Sequence, residues 1–326
     1  MAQKGIGRLI QVGITRETTR GTTPAAASYY IPWAELDLDE KKRFVIDEQT
    51  RGVIEDSVGQ SLVSEWAEGT IKAPIGDKHF PLFLYAIFGT LSSSGIVDSA
   101  YTHTISVQQG AQHQSVSFYL DDPLAAQDYT FGNGMVSQLE IQYERDQFIT
   151  YVANIIAKKG VTATLTPAAT TENRFLPQHV SFKVATNQAG LTGASAISIK
   201  SLTLRIAQNV EADDVLGSIA PADFLNKQFS IEGTVEAIFK DEADFKTQFL
   251  AGTVKAMRVA LTQTVLIGVS SVPTITIDLH SVVFTELTRP IRLNDVVMQT
   301  LSFKAHYNTT DSKIVTLTAI NAQATY

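Results

Sequence analysis

Apolar and polar residues alternate along most of this chain. The alternation runs through residues 104–107 and 115–120, Val136 to Tyr143, Phe148 to Ile156, His179 to Val184 and Ile197 to Val210. It resumes in Phe229 to Phe239, Met257 to Val265, Thr274 to Phe284, Met298 to Tyr307 and Ile314 to Ile320. A period of two puts one side of each segment in a core and the other in water, which predicts antiparallel sheets. Abundant Thr, Val and Ile suit a pleated surface. Two segments carry helical spacing instead, Phe80 to Phe88 and Glu242 to Leu250, and each runs into Gly-Thr, a helix stop. The predicted fold class is all-β with short helices.

The pattern repeats half a chain apart. Glu68-Gly69-Thr70 matches Glu232-Gly233-Thr234, and Gly89-Thr90 matches Gly252-Thr253. Strand phase is shared as well. Ile71, Ala73 and Ile75 fall where Val235, Ala237 and Phe239 fall, while Glu68, Thr70 and Lys72 fall where Glu232, Thr234 and Glu236 fall. A strand, a polar turn, a short helix and Gly-Thr therefore recur, which predicts two tandem, duplicated domains. Each half ends in two alternating runs across a short polar connection, at Glu144 to Gln147 and at Asn308 to Lys313, and both read as hairpins. Residues 160–174, rich in Thr and Ala, read as a linker or extended connection. The expected domains are 1–170 and 171–326.

Composition narrows the functional classes. The 326 residues include no Cys, which excludes disulfides, thiol nucleophiles and Fe–S clusters. A formal net charge of −7 does not suit a basic nucleic-acid binder. Charged residues make up only 18%, against about 25% in typical domains. Such a low value fits a surface that partners cover. The longest largely apolar run, Phe80 to Leu91, is short of the ~20 residues a bilayer needs, and the N-terminus lacks a signal-peptide core. Residues 1–163 carry 13 basic and 19 acidic side chains, and the remainder 13 and 14, so the acidic excess lies in the first half. Residues 35–59 are dense in both signs and show no period, so they read as a long loop, either solvated or a contact arm. No equally long counterpart is evident in the second half.

Candidate chemistry is sparse. The six His (His79, His103, His113, His179, His280 and His306) form no local zinc motif. No G-x-S-x-G elbow, P-loop or complete dinucleotide fingerprint is present. Asp121-Asp122, Asp213-Asp214 and Asp241-Glu242 sit where turns and helix caps favour acids, and Glu140 and Glu236 suit a polar sheet face. No catalytic, cofactor or metal residue is assigned. Tyr29, Tyr30 and Trp33 cluster near Pro32, and Trp66 shares the polar phase of Glu68; both are candidates for binding or for packing.

Several of these segments, in order, resemble the major tail tube proteins of long, non-contractile (siphovirus) bacteriophage tails. They are Gly13 to Thr22 with Pro24 and the aromatic run Tyr29 to Trp33, residues 68–90, and residues 285–297 leading into the last strands. The resemblance implies tail-tube-type β-sandwich or barrel domains with a short flanking helix, and no enzyme activity or cofactor. It also implies stacked rings in the virion tail that pass double-stranded DNA without binding it specifically. Chains with two such domains form trimers that imitate a six-fold ring; chains with one form hexamers. Tape measure, tail terminator and distal tail proteins are implied partners, with assembly in the host cytoplasm and no membrane. On this reading Glu68, Thr70, Glu232, Thr234 and Glu236 are candidates to face the lumen. Lys41, Lys42, Arg43, Glu55 and Asp56, in the long loop, are candidates for contacts between rings. A secretion-system tube protein, a carbohydrate-binding double β-sandwich and a two-carboxylate hydrolase are the competing classes.

Overall fold

The structure, a computed structural model, describes residues 6–95, 99–123, 127–238, 245–291, 293–294 and 296–326. The first half contains β1 (Gln11–Arg16), β2 (Tyr29–Ile31), β3 (Glu35–Asp47), β4 (Gly59–Pro74), α1 (Phe80–Phe88), β5 (Gly89–Gly95) and β6 (Tyr101–Val107). It continues with β7 (Val116–Asp121), β8 (Asp128–Tyr143), β9 (Thr150–Ala157) and β10 (Val161–Ala163). The second half contains β11 (Val180–Ala185), β12 (Ser201–Ala207), β13 (Glu211–Asp213), β14 (Asp223–Leu225) and β15 (Ser230–Ile238). After α2 (Lys246–Leu250) come β16 (Lys255–Thr262), β17 (Thr274–Thr288), β18 (Met298–Ala305) and β19 (Val315–Asn321). The fold is all-β, and the described strand pairs are antiparallel.

Two long strands organise the sheets. Residues 128–134 of β8 pair with β7 and β10, whereas its later residues pair with β9 and β12. Similarly, the start of β17 pairs with β16 and β19, and its end with β18. One eight-stranded sheet results, in the order β3-β4-β9-β8-β12-β15-β18-β17. A second layer holds β2-β1-β7-β8-β10 and β11-β16-β17-β19-β6-β5. Apolar side chains between the layers form one core, with Ile71, Leu139, Ile141, Leu204, Val235 and Leu301 among its fully buried members.

Pairings of the first half recur in the second. β1–β7, β3–β4, β4–β9, β8–β9 and β8–β10 correspond to β11–β16, β12–β15, β15–β18, β17–β18 and β17–β19. Even the irregularities match: β8 is bulged between Val136 and Gln138, and β17 between Phe284 and Glu286. Gly69 and Gly233 also share a task. A Cβ on Gly69 would lie 1.7 Å from the Asp37 carbonyl oxygen, and one on Gly233 2.2 Å from that of Thr203. Each glycine lets a neighbouring backbone approach closely.

Helix α1 spans Phe80–Phe88, as its spacing predicts, and all nine of its residues are buried. A helix that is apolar all round belongs inside a core. Burial of each large side chain, such as Phe83, contributes about 1.5–3 kcal/mol. Gly89, at φ 89°, ends the helix in the left-handed conformation that glycine adopts without strain. Helix α2 covers only Lys246–Leu250; Phe239, Asp241 and Glu242, which entered the expected strand, acidic pair and helix, lie outside the described residues.

Three expectations are corrected. Residues 35–59 are not a loop: Glu35–Asp47 is a strand paired along its length with β4, and only residues 48–58 turn. The outer part of this hairpin has water on both faces, so no alternation marks it. A counterpart also exists, because residues 208–229, with the β13–β14 hairpin, fill the equivalent connection between β12 and β15. Finally, β18 and β19 are not a hairpin. An isolated Asn308–Lys313 bridge closes their turn, and the strands pair with opposite halves of β17. Alternation reports which side of a strand is buried, not which strand lies beside it.

Buried polar side chains fix the connections, within the first half and between the halves. Glu17, fully buried, accepts hydrogen bonds from the Ser117 hydroxyl at 2.6 Å and from the Asn133 and Gly21 amides at 2.7 Å each. Arg20 reaches Asp223 of β14 at 2.9 Å and donates to the Phe224 carbonyl. Burial disfavours the Asp223 carboxylate, but the bonds from Arg20 and Asn133 outweigh it and hold its pKa low. Residues 160–174 form a strap rather than a free linker. Glu172 binds the buried His79 Nδ1 at 2.7 Å, and the Asn173 amide binds Asp77 at 2.8 Å.

Candidate functional site

The eight-stranded sheet has one apolar face against the core and one polar face. Register places Glu68 and Thr70 of β4 and Glu232, Thr234 and Glu236 of β15 on that polar face. The two groups lie four strands apart, roughly 19 Å at ordinary strand spacing. Glu68 and Thr70 are half-buried, Glu232 and Thr234 exposed, and Glu236 half-buried, 3.3 Å from the Ser201 hydroxyl. Trp66 belongs here as well, its indole donating to Glu68 Oε2 at 2.9 Å.

Cross-strand neighbours on this face are ordered by charge. One row reads Glu35, Lys72, Val152, Glu140, Arg205, Glu232 and Lys304, from β3 to β18. Signs alternate along it, and Lys72 bridges Glu35 at 3.1 Å. Away from that row acids prevail. Among the described residues, Asp37, Asp39, Glu68, Glu236 and Glu286 share the face, against Lys41 and Arg43. Among the described residues the face is polar and acidic overall.

Both flanks of this sheet end in unpaired strand edges among the described residues. β3 pairs with β4 only, and the 283–288 stretch of β17 pairs on one side, with β18. Sequence reasoning missed both edges, because an edge strand and a central one share the same periodicity.

The contact candidates separate into two places. Lys41 sits opposite Trp66 on the polar face, while Lys42 sits opposite Glu65 on the other. Arg43 stacks over the Trp66 ring at 5.5 Å and lies 3.8 Å from Asp214. Glu55 and Asp56 occupy the exposed tip. Beyond Ala67 the β3–β4 hairpin leaves β9 and projects as an arm. Its base is fixed by the Glu65 amide on the Ile219 carbonyl at 2.8 Å and by Lys159 on Glu65 at 3.1 Å. Phe44, Val45, Ile46, Val53, Ile54 and Val58 are exposed on the arm. The opposite end of the sheet, at the connections 144–149 and 289–297, exposes Phe148, Ile291, Leu293 and Val296. The apolar residues of residues 35–59 signalled this patch; the charges around them hid it.

The aromatic cluster is engaged in packing. Tyr29 is buried 5.7 Å from the Tyr326 ring, and the Trp33 indole donates to the Ile10 carbonyl at 3.0 Å. Burial first, and then the Glu172 charge, raise the Tyr29 phenol well above its ordinary range.

Comparison with known proteins agrees with this geometry. A family model described as phage tail tube protein matches residues 7–305. No curated protein matches the chain. With nearly its whole length matched, the chain belongs to the phage tail tube protein family, structural components of the virion tail.

Proposed function

We propose that copies of this chain close into rings that stack into a hollow tube, with the polar face of the eight-stranded sheet lining the channel for the genome. The chain divides into units 1–170 and 171–326. Three chains then present six similar units around a ring, and a hexamer is the alternative. The observation that carries this reading is the single continuous sheet, polar on one face, with an unpaired edge on each flank. Closing a sheet into a ring removes such edges.

The role is physical rather than catalytic. Duplex DNA carries one negative charge per about 1.7 Å of axis, and a basic wall would hold its phosphates. A wall where acids outnumber bases, and where Lys72, Arg205 and Lys304 each sit opposite an acid on a neighbouring strand, lets DNA slide. The arm reaches toward the neighbouring ring, and its apolar tip finds cover there. Tape measure, terminator and distal tail proteins are the expected partners at the ends of the tube.

Replacing Glu68 and Glu232 together by Lys tests the channel assignment. Tubes should form normally under the electron microscope while DNA delivery falls. Unchanged infectivity with normal tubes would refute the lumen assignment.

A further inference from the structure

We infer that the two free edges of the eight-stranded sheet are mates, the end of β17 in one copy pairing with β3 of the next in the register that β8 and β12 adopt within the chain. This rests on the ring reading and specifies its joint. The equivalence comes from pairing. Leu38 lies opposite Gly69 as Leu204 lies opposite Gly233. Val136 and Phe284, opposite Ile155 and Phe303, each precede the bulge. β3 is therefore to the first half what β12 is to the second, and the end of β17 matches the end of β8.

Inside the chain Gln138 faces Ala207, Leu139 faces Ile206 and Glu140 faces Arg205. Carried to the joint between copies, that register sets Glu286 opposite Lys41, Leu287 opposite Glu40 and Thr288 opposite Asp39. The first pair joins opposite charges on the polar face, and the third offers a hydroxyl to a carboxylate. A one-residue slip would turn the polar side chains to the wrong face. A slip by two sets Glu286 against Asp39, a like-charge pair, or against Arg43, which Asp214 and Trp66 already engage.

The joint between copies is also thinner than the one inside the chain. Within the chain, the second layer is continuous too, because β6 pairs with β19. No hairpin like β5–β6 follows α2, since only residues 251–254 separate it from β16.

The absence of Cys makes the joint testable by cross-linking. Lys41→Cys with Glu286→Cys, and Glu40→Cys with Leu287→Cys, are to be oxidised in assembled tubes. Directly opposed strand residues lie close enough for a disulfide. Both pairs should yield covalent oligomers that stop at one ring, a trimer for three chains. Asp39→Cys with Glu286→Cys, two residues out of register, should not link. Tubes in which only the slipped pair links, or neither in-register pair does, would overturn the register and leave the tube reading standing. Failure of the unmodified chain to form rings would overturn both. A charge exchange covers variants that assemble poorly: Lys41→Glu or Glu286→Lys alone should reduce tube yield severalfold, and the two together should restore it. No recovery in the double variant would refute the pairing.

Discussion

Gly69 and Gly233 have no side chain, yet their positions depend on that. Each sits where the adjoining strand's carbonyl oxygen fills the space of a Cβ. Gly69→Ala and Gly233→Ala should each lower stability by about 1–3 kcal/mol in chemical denaturation, as overpacking does. A second residue-scale prediction concerns acid. Burial disfavours the Glu172 carboxylate, but the His79 hydrogen bond and charge outweigh it and lower its pKa below the ordinary 4.5. A carboxyl depressed in the folded state stabilises the fold above its unfolded pKa, and that contribution disappears as pH falls through the folded value. Thermal melts taken from neutral pH downward should show steep acid destabilisation. Glu172→Gln should be less stable at neutral pH and lose less on acidification. Burial shifts Asp77 upward, so its own contribution has the opposite sign and cannot produce this effect.

At the scale of elements, the β3–β4 arm invites deletion. Replacing residues 44–62 by a short turn removes the exposed Phe44, Val45, Ile46, Val53, Ile54 and Val58 but keeps the eight-stranded sheet. Soluble rings or single chains should remain, without long tubes in negative stain; long tubes after deletion would contradict the role in stacking proposed for the arm. Elements buried on one face were legible in the sequence. Phe80–Phe88 is apolar on every side and ends at the helix-stopping Gly89, and β9, β15 and β16 follow alternations visible by eye. β3 was not legible, because water meets both faces of its outer half. The pairing of β18 and β19 with opposite halves of β17 was hidden too. It depends on a bend and a bulge, which leave no mark in periodicity. For the site, alternation placed Glu68 and Glu232 on a polar face, and the repeat indicated that the two faces are equivalent. That the faces form one sheet follows from the β8–β12 pairing, which joins residues about sixty positions apart.

For the whole molecule, the scarcity of charge has a structural counterpart. Exposed apolar side chains gather at both ends of the eight-stranded sheet, on the arm and on the connections 144–149 and 289–297. Surfaces that partners cover need little charge. The acids on the polar face and the basic residues opposite them across strands leave that face mildly negative, which is the wall of the proposed channel. Raising ionic strength should therefore change DNA passage little, whereas the Glu68→Lys and Glu232→Lys wall should release DNA faster as salt rises, as counterion screening of phosphate contacts requires. Timed ejection at two salt concentrations reads that difference.

The arm and residues 208–229 leave the sheet at one end, while the connections 144–149 and 289–297 lie at the other. A stack built from such units has a direction, like a row of arrows. If rings stack head to tail as proposed, one terminus presents the arms and the other the connections 144–149 and 289–297. In the proposed tube, a protein that caps the first cannot cap the second by the same contacts, so starting and stopping it would call for two different molecules.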